Sequence, residues 1–226
     1  MDRKKFLKKG ILGMGSIVGL PLAISCSEDD DNPFEDQCQL SPTEAAGPFP
    51  IKTPAEFVRE NIVSDRIGVA LMITLVIQNQ SNGCTPMNDV NVDIWHCDKD
   101  GLYSEYGNNA WQQEDLTNVH FLRGRQKTNA MGQVSFISIY PGWYPGRAPH
   151  IHFEILDINE NSIMVGQIAF DDLVSELVYQ QNEYKGSADT TNIQDGVFAN
   201  SLVGNMADSL TGNVQDGYTL HKTITV

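Results

Sequence analysis

Residues 149–156 read Pro-His-Ile-His-Phe-Glu-Ile-Leu, and this stretch decides the fold class. It is short, rich in β-branched and aromatic residues, and it has the look of a β-strand. Strand periodicity sends His150 and His152 to the same face, where one metal ion can accept a nitrogen from each. The bland reading of such a His-x-His pair is a polar strand face. Working outward, similar apolar runs lie at Val69–Ile77, Val90–Trp95, Val134–Ile139, Met164–Phe170 and Thr219–Val226, each bounded by Gly, Pro, Asn or Asp clusters. Val90, Val92 and Ile94 alternate with Asn91, Asp93 and Trp95, as in a strand with one face on a core. Only Asp171 to Tyr184 has helical spacing, with Leu173, Val174, Leu177 and Val178 as its apolar stripe behind acidic residues. The expected fold is mainly β, an antiparallel β-sandwich with one short helix and long loops over residues 186–217. No internal repeat is visible. Pro42 to Pro54, rich in proline and small residues, reads as an extended arm on the domain surface.

The whole chain has 226 residues and a formal charge of −14. That length allows one domain plus a tail. After residue 25 there are ten basic and 28 acidic residues, a balance of −18, which makes nucleic acid a poor partner. The amino terminus divides differently. Residues 1–25 hold a charged start, Asp2 to Lys9, then an apolar stretch broken by glycines and a proline and ending at Ser25-Cys26. It is too short and glycine-rich for a spanning helix and reads as an export signal. The Ala-Ile-Ser-Cys ending resembles a bacterial lipobox, with Cys26 as the lipidated residue, and Arg3 to Lys8 is similar to the twin-arginine export pattern. Residues 26–37 then form a flexible acidic tether ahead of a domain at 38–226. The expected location is the bacterial cell envelope, with the protein held at the membrane by a lipid anchor. Of the other thiols, Cys38, Cys84 and Cys97, one pair can bridge in an oxidising compartment. The strand leading to Cys97 carries it away from the turn holding Cys84, so a bridge using Cys38 is favoured.

Immediately before the histidine pair stands Tyr140-Pro141-Gly142-Trp143-Tyr144-Pro145-Gly146-Arg147-Ala148-Pro149, a loop stiffened by three prolines that brings tyrosines and an arginine beside the imidazoles. Together with Phe121 to Thr128, Gly132 to Phe136, Val92-x-Ile94-Trp95 and Gly101-x-Tyr103, this order of motifs resembles the intradiol ring-cleavage dioxygenases, the catechol and protocatechuate dioxygenases. Residues 38–49 are similar to the arm of an exported, lipoprotein-like branch of that family. The resemblance spans residues 38–226 and is strongest at 90–153.

The resemblance implies a non-haem Fe(III) enzyme that opens a small aromatic diol between its hydroxylated carbons with O2, giving a muconate-type diacid. It assigns Tyr103, Tyr144, His150 and His152 as metal ligands, with Tyr144 the one that leaves when substrate chelates. It places Arg147 over the substrate ring and Gln167 beside it. The chemistry agrees, since ferric iron prefers anionic oxygen and accepts imidazole, and a bound cation keeps a phenol ionised near neutral pH. The chain departs from the pattern at Ala46-Gly47-Pro48-Phe49 and at Thr128-Asn129, both of which bear on the substrate pocket. The loop from Tyr144 to His150 is short, which favours a small or open pocket. Tyr106 and Tyr140 are rivals to Tyr103 and Tyr144, and lose on motif context. His96 reads as a hydrogen-bonded core histidine and His120 as a surface residue. Arg123 and Arg125 read as structural or as binders of acidic substrate groups, and Trp95 and Phe136 as core. The competing functions are a catalytically inactive metal- or ligand-binding β-sandwich lipoprotein, and a copper or zinc protein using the same histidines. A homo-oligomer is compatible with all of these.

Overall fold

The structure, a computed structural model, describes residues 38–226. The expected export signal, the lipidated Cys26 and the acidic tether lie outside the described residues. Among the described residues nine strands form two sheets. The first is built around β1 (Ala70–Asn79), which is flanked by β5 (Gln133–Ile139) and, at its end, β2 (Thr85–Pro86) on antiparallel terms, and by β9 (Gly217–Thr225), which also pairs with β8 (Ser209–Asn213). The second has the order β4-β3-β6-β7, from Arg123–Lys127, Asn91–Trp95, His150–Leu156 and Ser162–Ala169, all antiparallel. The sandwich is therefore mainly antiparallel, with one correction: β1 and β9 run parallel. A parallel pair needs a long crossover, and here the rest of the domain supplies it.

The core lies between the sheets. In β1 the residues Leu71, Ile73, Leu75 and Ile77 are buried at every second position, and Val92, Ile94, Ile151, Phe153 and Ile155 answer them from the other sheet. Besides the two-residue β2, two strands escape the hydrophobic reading. In β4 the sequence Arg-Gly-Arg-Gln-Lys carries no apolar residue, because its outer face buries Arg123 and Arg125, and its inner face must be bare. A Cβ on Gly124 would come within 2.5 Å of the Ile62 side chain. The other, β8, is an exposed, polar edge strand inside the expected loop region, where a short helix α2 (Leu202–Asn205) also forms.

The expected helix is shorter than its spacing suggested. It is α1 (Asp172–Tyr179), started by the Asp171 carboxylate, which accepts from the amides of Leu173 and Val174. Its stripe is also rotated: Leu173 and Leu177 face solvent, whereas Ser175, Val178 and Tyr179 are buried. The cause is polar docking. Ser175 shares a hydrogen bond with the Tyr140 hydroxyl, and the Tyr179 hydroxyl donates to the Pro141 carbonyl.

The arm of residues 38–52 is extended, as the proline-rich stretch suggested, and it covers the outer face of the second sheet. Cys38 and Cys84 form a disulfide that fastens its beginning to the end of the β1–β2 hairpin, and Cys97 is a buried free thiol. Ser41 and Glu44 then donate backbone hydrogen bonds to Thr225 and Val165.

Candidate metal and substrate site

The outer face of the second sheet carries a row of directly paired residues, Arg123 on β4, Trp95 on β3, His152 on β6 and Gln167 on β7. Directly opposed residues project to the same face. That face would be wet in a simple sandwich; here the arm and two loops seal it. Trp95 stacks on His152 with ring centres 5.1 Å apart and planes within 3°. Phe49, from the arm, stacks on Tyr103 at 4.5 Å. Gly47 passes so close that a Cβ there would sit 3.0 Å from Cε1 of His152, and its φ of +70° is itself a glycine conformation.

Four rings close a circuit. Centroid distances are 5.8 Å from Tyr103 to Tyr144, 5.6 Å from Tyr144 to His150, 4.6 Å from His150 to His152 and 6.3 Å from His152 to Tyr103. The two Nε2 atoms lie 3.0 Å apart, and Nδ1 of His150 is directed at the Ala148 carbonyl at 2.6 Å. Burial pushes His150 down to about 3 and His152 well below its ordinary value, so both rings are neutral with nitrogen lone pairs available. Burial also raises the pKa of both phenols, and the Arg147 charge opposes that rise at Tyr144. The Tyr103 hydroxyl is fully buried and has no hydrogen-bond partner among the described residues. An orphaned buried hydroxyl is costly by about 1–3 kcal/mol unless something else meets it. Among the described residues no three His, Cys, Asp or Glu side chains cluster as a metal site, so a metal ion here would have to take phenol oxygens. A hard cation fits that donor set: two imidazole nitrogens beside two phenols, one of them unsatisfied.

The loops that deliver these rings are fixed by groups the sequence did not announce. The Gln112 side chain accepts from the Tyr103 amide at 2.7 Å and donates to its carbonyl at 2.8 Å, clamping that residue from both sides. The buried Asp98 accepts from Asp100 and Leu102 through its carboxylate, while its carbonyl accepts from Gly142. It thereby ties the Tyr103 loop to the Tyr144 loop. Arg147 is placed by Asp195, which is completely buried, receives Arg147 Nε on both oxygens (2.8 and 3.0 Å) and also accepts from the Ala148 and Val197 amides. The remaining nitrogens of Arg147 reach the Tyr144 hydroxyl at 3.2 Å and the Gln167 side-chain oxygen at 2.6 Å. Gln167 in turn donates to the Ala45 carbonyl of the arm. Gln167 was assigned beside the ring by the resemblance, whereas Asp98, Gln112 and Asp195 carry no local motif, so only the fold reveals them.

Against solved structures, the chain is 33% identical to an intradiol ring-cleavage dioxygenase from Tetranychus urticae, with a TM-score of 0.74 over 83% of this chain and 94% of that one. The chain belongs to the intradiol ring-cleavage dioxygenase family. More distant likenesses, which bear on the fold alone, include the dioxygenase domain of a carbohydrate-binding fusion from Streptomyces sp. SirexAA-E (22% identity, TM-score 0.60, 83% and 98% covered). Another is 3-chlorocatechol 1,2-dioxygenase from Rhodococcus opacus 1CP (18%, 0.52, 82% and 71%). No protein-family model and no curated sequence matches the chain.

The rival residues of this family member are occupied elsewhere. The Tyr106 hydroxyl donates to the Pro50 carbonyl, and Tyr140 sits in the sandwich core bonded to Ser175. His96 is a buried histidine bonded to the Cys97 carbonyl and Ser138, and His120 is exposed. Arg123 and Arg125 are both structural. The first donates to the Phe49 and Ser104 carbonyls, and the second pairs with Asp93 and Glu160. Phe136 lies in the main core, while Trp95 belongs to the small cluster beneath the site.

Proposed function

We propose that the chain is an Fe(III)-dependent intradiol dioxygenase acting on a catechol-like diol, with Tyr103, Tyr144, His150 and His152 as the metal ligands. The observation that carries this reading is the closed circuit of four rings, one of which bears the buried, unpartnered Tyr103 hydroxyl. When bound, ferric iron supplies the positive charge that holds both phenols ionised and withdraws electron density from a chelated diol.

The roles of the residues follow from their surroundings. Tyr103 is sealed beneath Phe49 and clamped by Gln112, so it is the permanent oxygen donor. Tyr144 is less buried and lines the open pocket, so it is the phenolate free to swing away and take a proton from the diol. Arg147, held by Asp195, keeps Nη1 pointed at the place where Tyr144 now lies. As the ring gains negative charge, that N–H is a preorganised donor, and losing such a donor costs about 3–4 kcal/mol of barrier. The overall change is addition of O2 to the diol with cleavage of the carbon–carbon bond between its oxygens, both atoms of O2 ending in the diacid.

Export and lipid anchoring through Cys26 are part of the proposal. The Cys38–Cys84 disulfide supports it, because such bonds persist in oxidising compartments. Radiolabelled fatty acid is expected to enter the wild-type protein in cells and not C26S; labelling of both overturns the anchor.

The iron reading is tested by colour. Phenolate bound to ferric iron gives a red-brown protein, so the purified chain is expected to absorb in the visible. Y103F and H152A are expected to lose that band, whereas R147A keeps it and turns over catechol about a hundredfold or more slowly. A colourless protein at full iron occupancy overturns the ligand assignment. Colour without turnover across a panel of catechols favours the binding-protein reading.

A further inference from the structure

The open side of the site is larger and less polar than a bare diol ring requires. A cavity of about 600 Å³ adjoins Tyr144 and Arg147, and its other walls include Ala45, Pro48, Trp111, Pro145 and Val197. Pockets of this volume suit ligands of several rings. Trp111 is the most informative wall. It is 73% exposed, an unusual position for an indole.

Its segment is nevertheless anchored. The Asn109 side chain accepts from the amides of both Trp111 and Gln112, and the Gln112 amide group is the clamp on Tyr103. The indole is thus presented at the pocket mouth by a segment fixed to a candidate ligand residue.

The charge of the pocket is equally specific. Arg147 is the one cation among the described lining residues, and its guanidinium is already committed to Asp195, Gln167 and Tyr144. Its Nη1 is the donor assigned above to the reacting ring, so among the described lining residues no second positive group remains to meet a carboxylate on a ring substituent.

We propose that this pocket selects an uncharged diol carrying a second aromatic ring, with Trp111 as the stacking platform for that ring. This rests on the dioxygenase reading above and narrows its substrate class. A flat apolar substituent covers the indole and the proline walls, which removes apolar surface from water and adds an aromatic contact. A carboxylate in the same place loses its hydration without gaining a partner.

The test is an anaerobic titration of the iron-loaded protein with catechol, 4-phenylcatechol and 3,4-dihydroxybenzoate, each followed by the shift of the visible band. Wild type is expected to bind 4-phenylcatechol at least about fivefold more tightly than catechol, and 3,4-dihydroxybenzoate more weakly than catechol. W111A is expected to erase most of the phenyl-over-catechol preference, and W111F to retain most of it. Catechol binding with no phenyl preference, or a preference that survives in W111A, overturns the inference and leaves the dioxygenase reading standing. Carboxylate binding as tight as catechol overturns the claim of an uncharged substrate. Failure of all three diols to shift the band overturns both.

Discussion

Arg147 shows how a single side chain is made specific by a partner invisible in the sequence motif. A guanidinium has five donors, and its direction is set by whichever acceptors hold it. Asp195 holds Nε and is buried, so the pair is a fixed dipole. Asp195 is not itself a lining residue and bonds to none of the four rings; it acts through Arg147, which it holds from behind, as a positioning residue. D195N keeps the size and removes the charge, and the expected result is a fall in turnover of at least about tenfold with the visible band intact. D195A leaves the arginine unpaired, and the expected loss of stability is about 3–5 kcal/mol in chemical denaturation. Equal turnover in D195N and wild type refutes the positioning role.

His96 gives a second prediction at this scale, through stability. Burial pushes it down to about 4, whereas in the unfolded chain it titrates near 6.5. Between those values the unfolded chain binds the proton and the folded chain does not, so stability is full above pH 6.5 and declines as pH falls toward 4. The contribution is on the order of 3 kcal/mol across that window. H96Q is expected to reduce the slope of unfolding free energy against pH between 6.5 and 4 by about one proton, the buried His150 and His152 keeping their share. An unchanged slope assigns the acid sensitivity elsewhere.

At the scale of elements, the arm is the part that turns a sandwich into a site. It carries Ala45, Gly47 and Phe49 onto the outer face of the β4-β3-β6-β7 sheet, and the disulfide fixes its origin. The bridge spans 46 positions in sequence, for which chain entropy gives a stabilisation of about 4 kcal/mol. The C38S/C84S variant is expected to unfold at a lower denaturant concentration and to be cut first by protease within residues 39–52. If the arm stays protected and the midpoint is unchanged, its backbone bonds to Thr225 and Val165 suffice without the bridge.

Much of this architecture was legible in the chain because strands that face a core must alternate. The runs containing Leu71 to Ile77 and Ile151 to Ile155 declare themselves, and the same period places the two histidines together. Strand β4 was not legible as a strand, because its outer face buries arginines that are satisfied by distant groups, Phe49, Ser104 and Glu105 for Arg123 and Asp93 and Glu160 for Arg125. The helix stripe misled for a related reason. A short helix docked through Ser175 and Tyr179 hydroxyls does not need its leucines inside. The four rings were named from motifs, whereas Asp98, Gln112 and Asp195 answer to contacts that no local pattern encodes.

The whole molecule adds a field to the local chemistry. Residues 38–226 contain ten basic and 22 acidic side chains, a formal charge of −12, and the basic ones near the site are paired. An anionic diol therefore approaches against repulsion, while a neutral one does not feel it. Repulsion of this kind is screened within about 10 Å at 0.1 M salt and reaches about 30 Å at 0.01 M. If turnover is present, kcat/KM for 3,4-dihydroxybenzoate is expected to rise severalfold as ionic strength is raised across that range, with kcat/KM for catechol nearly flat. Initial rates of oxygen uptake at matched pH measure both. The slope separates the global field from the pocket: a carboxylated substrate that remains poor at high salt is rejected by the apolar walls around Trp111, whereas one that recovers fully was held off by net charge alone. A rate that falls with added salt would require a positive patch at the pocket mouth, contrary to the pairing of Arg147 with Asp195.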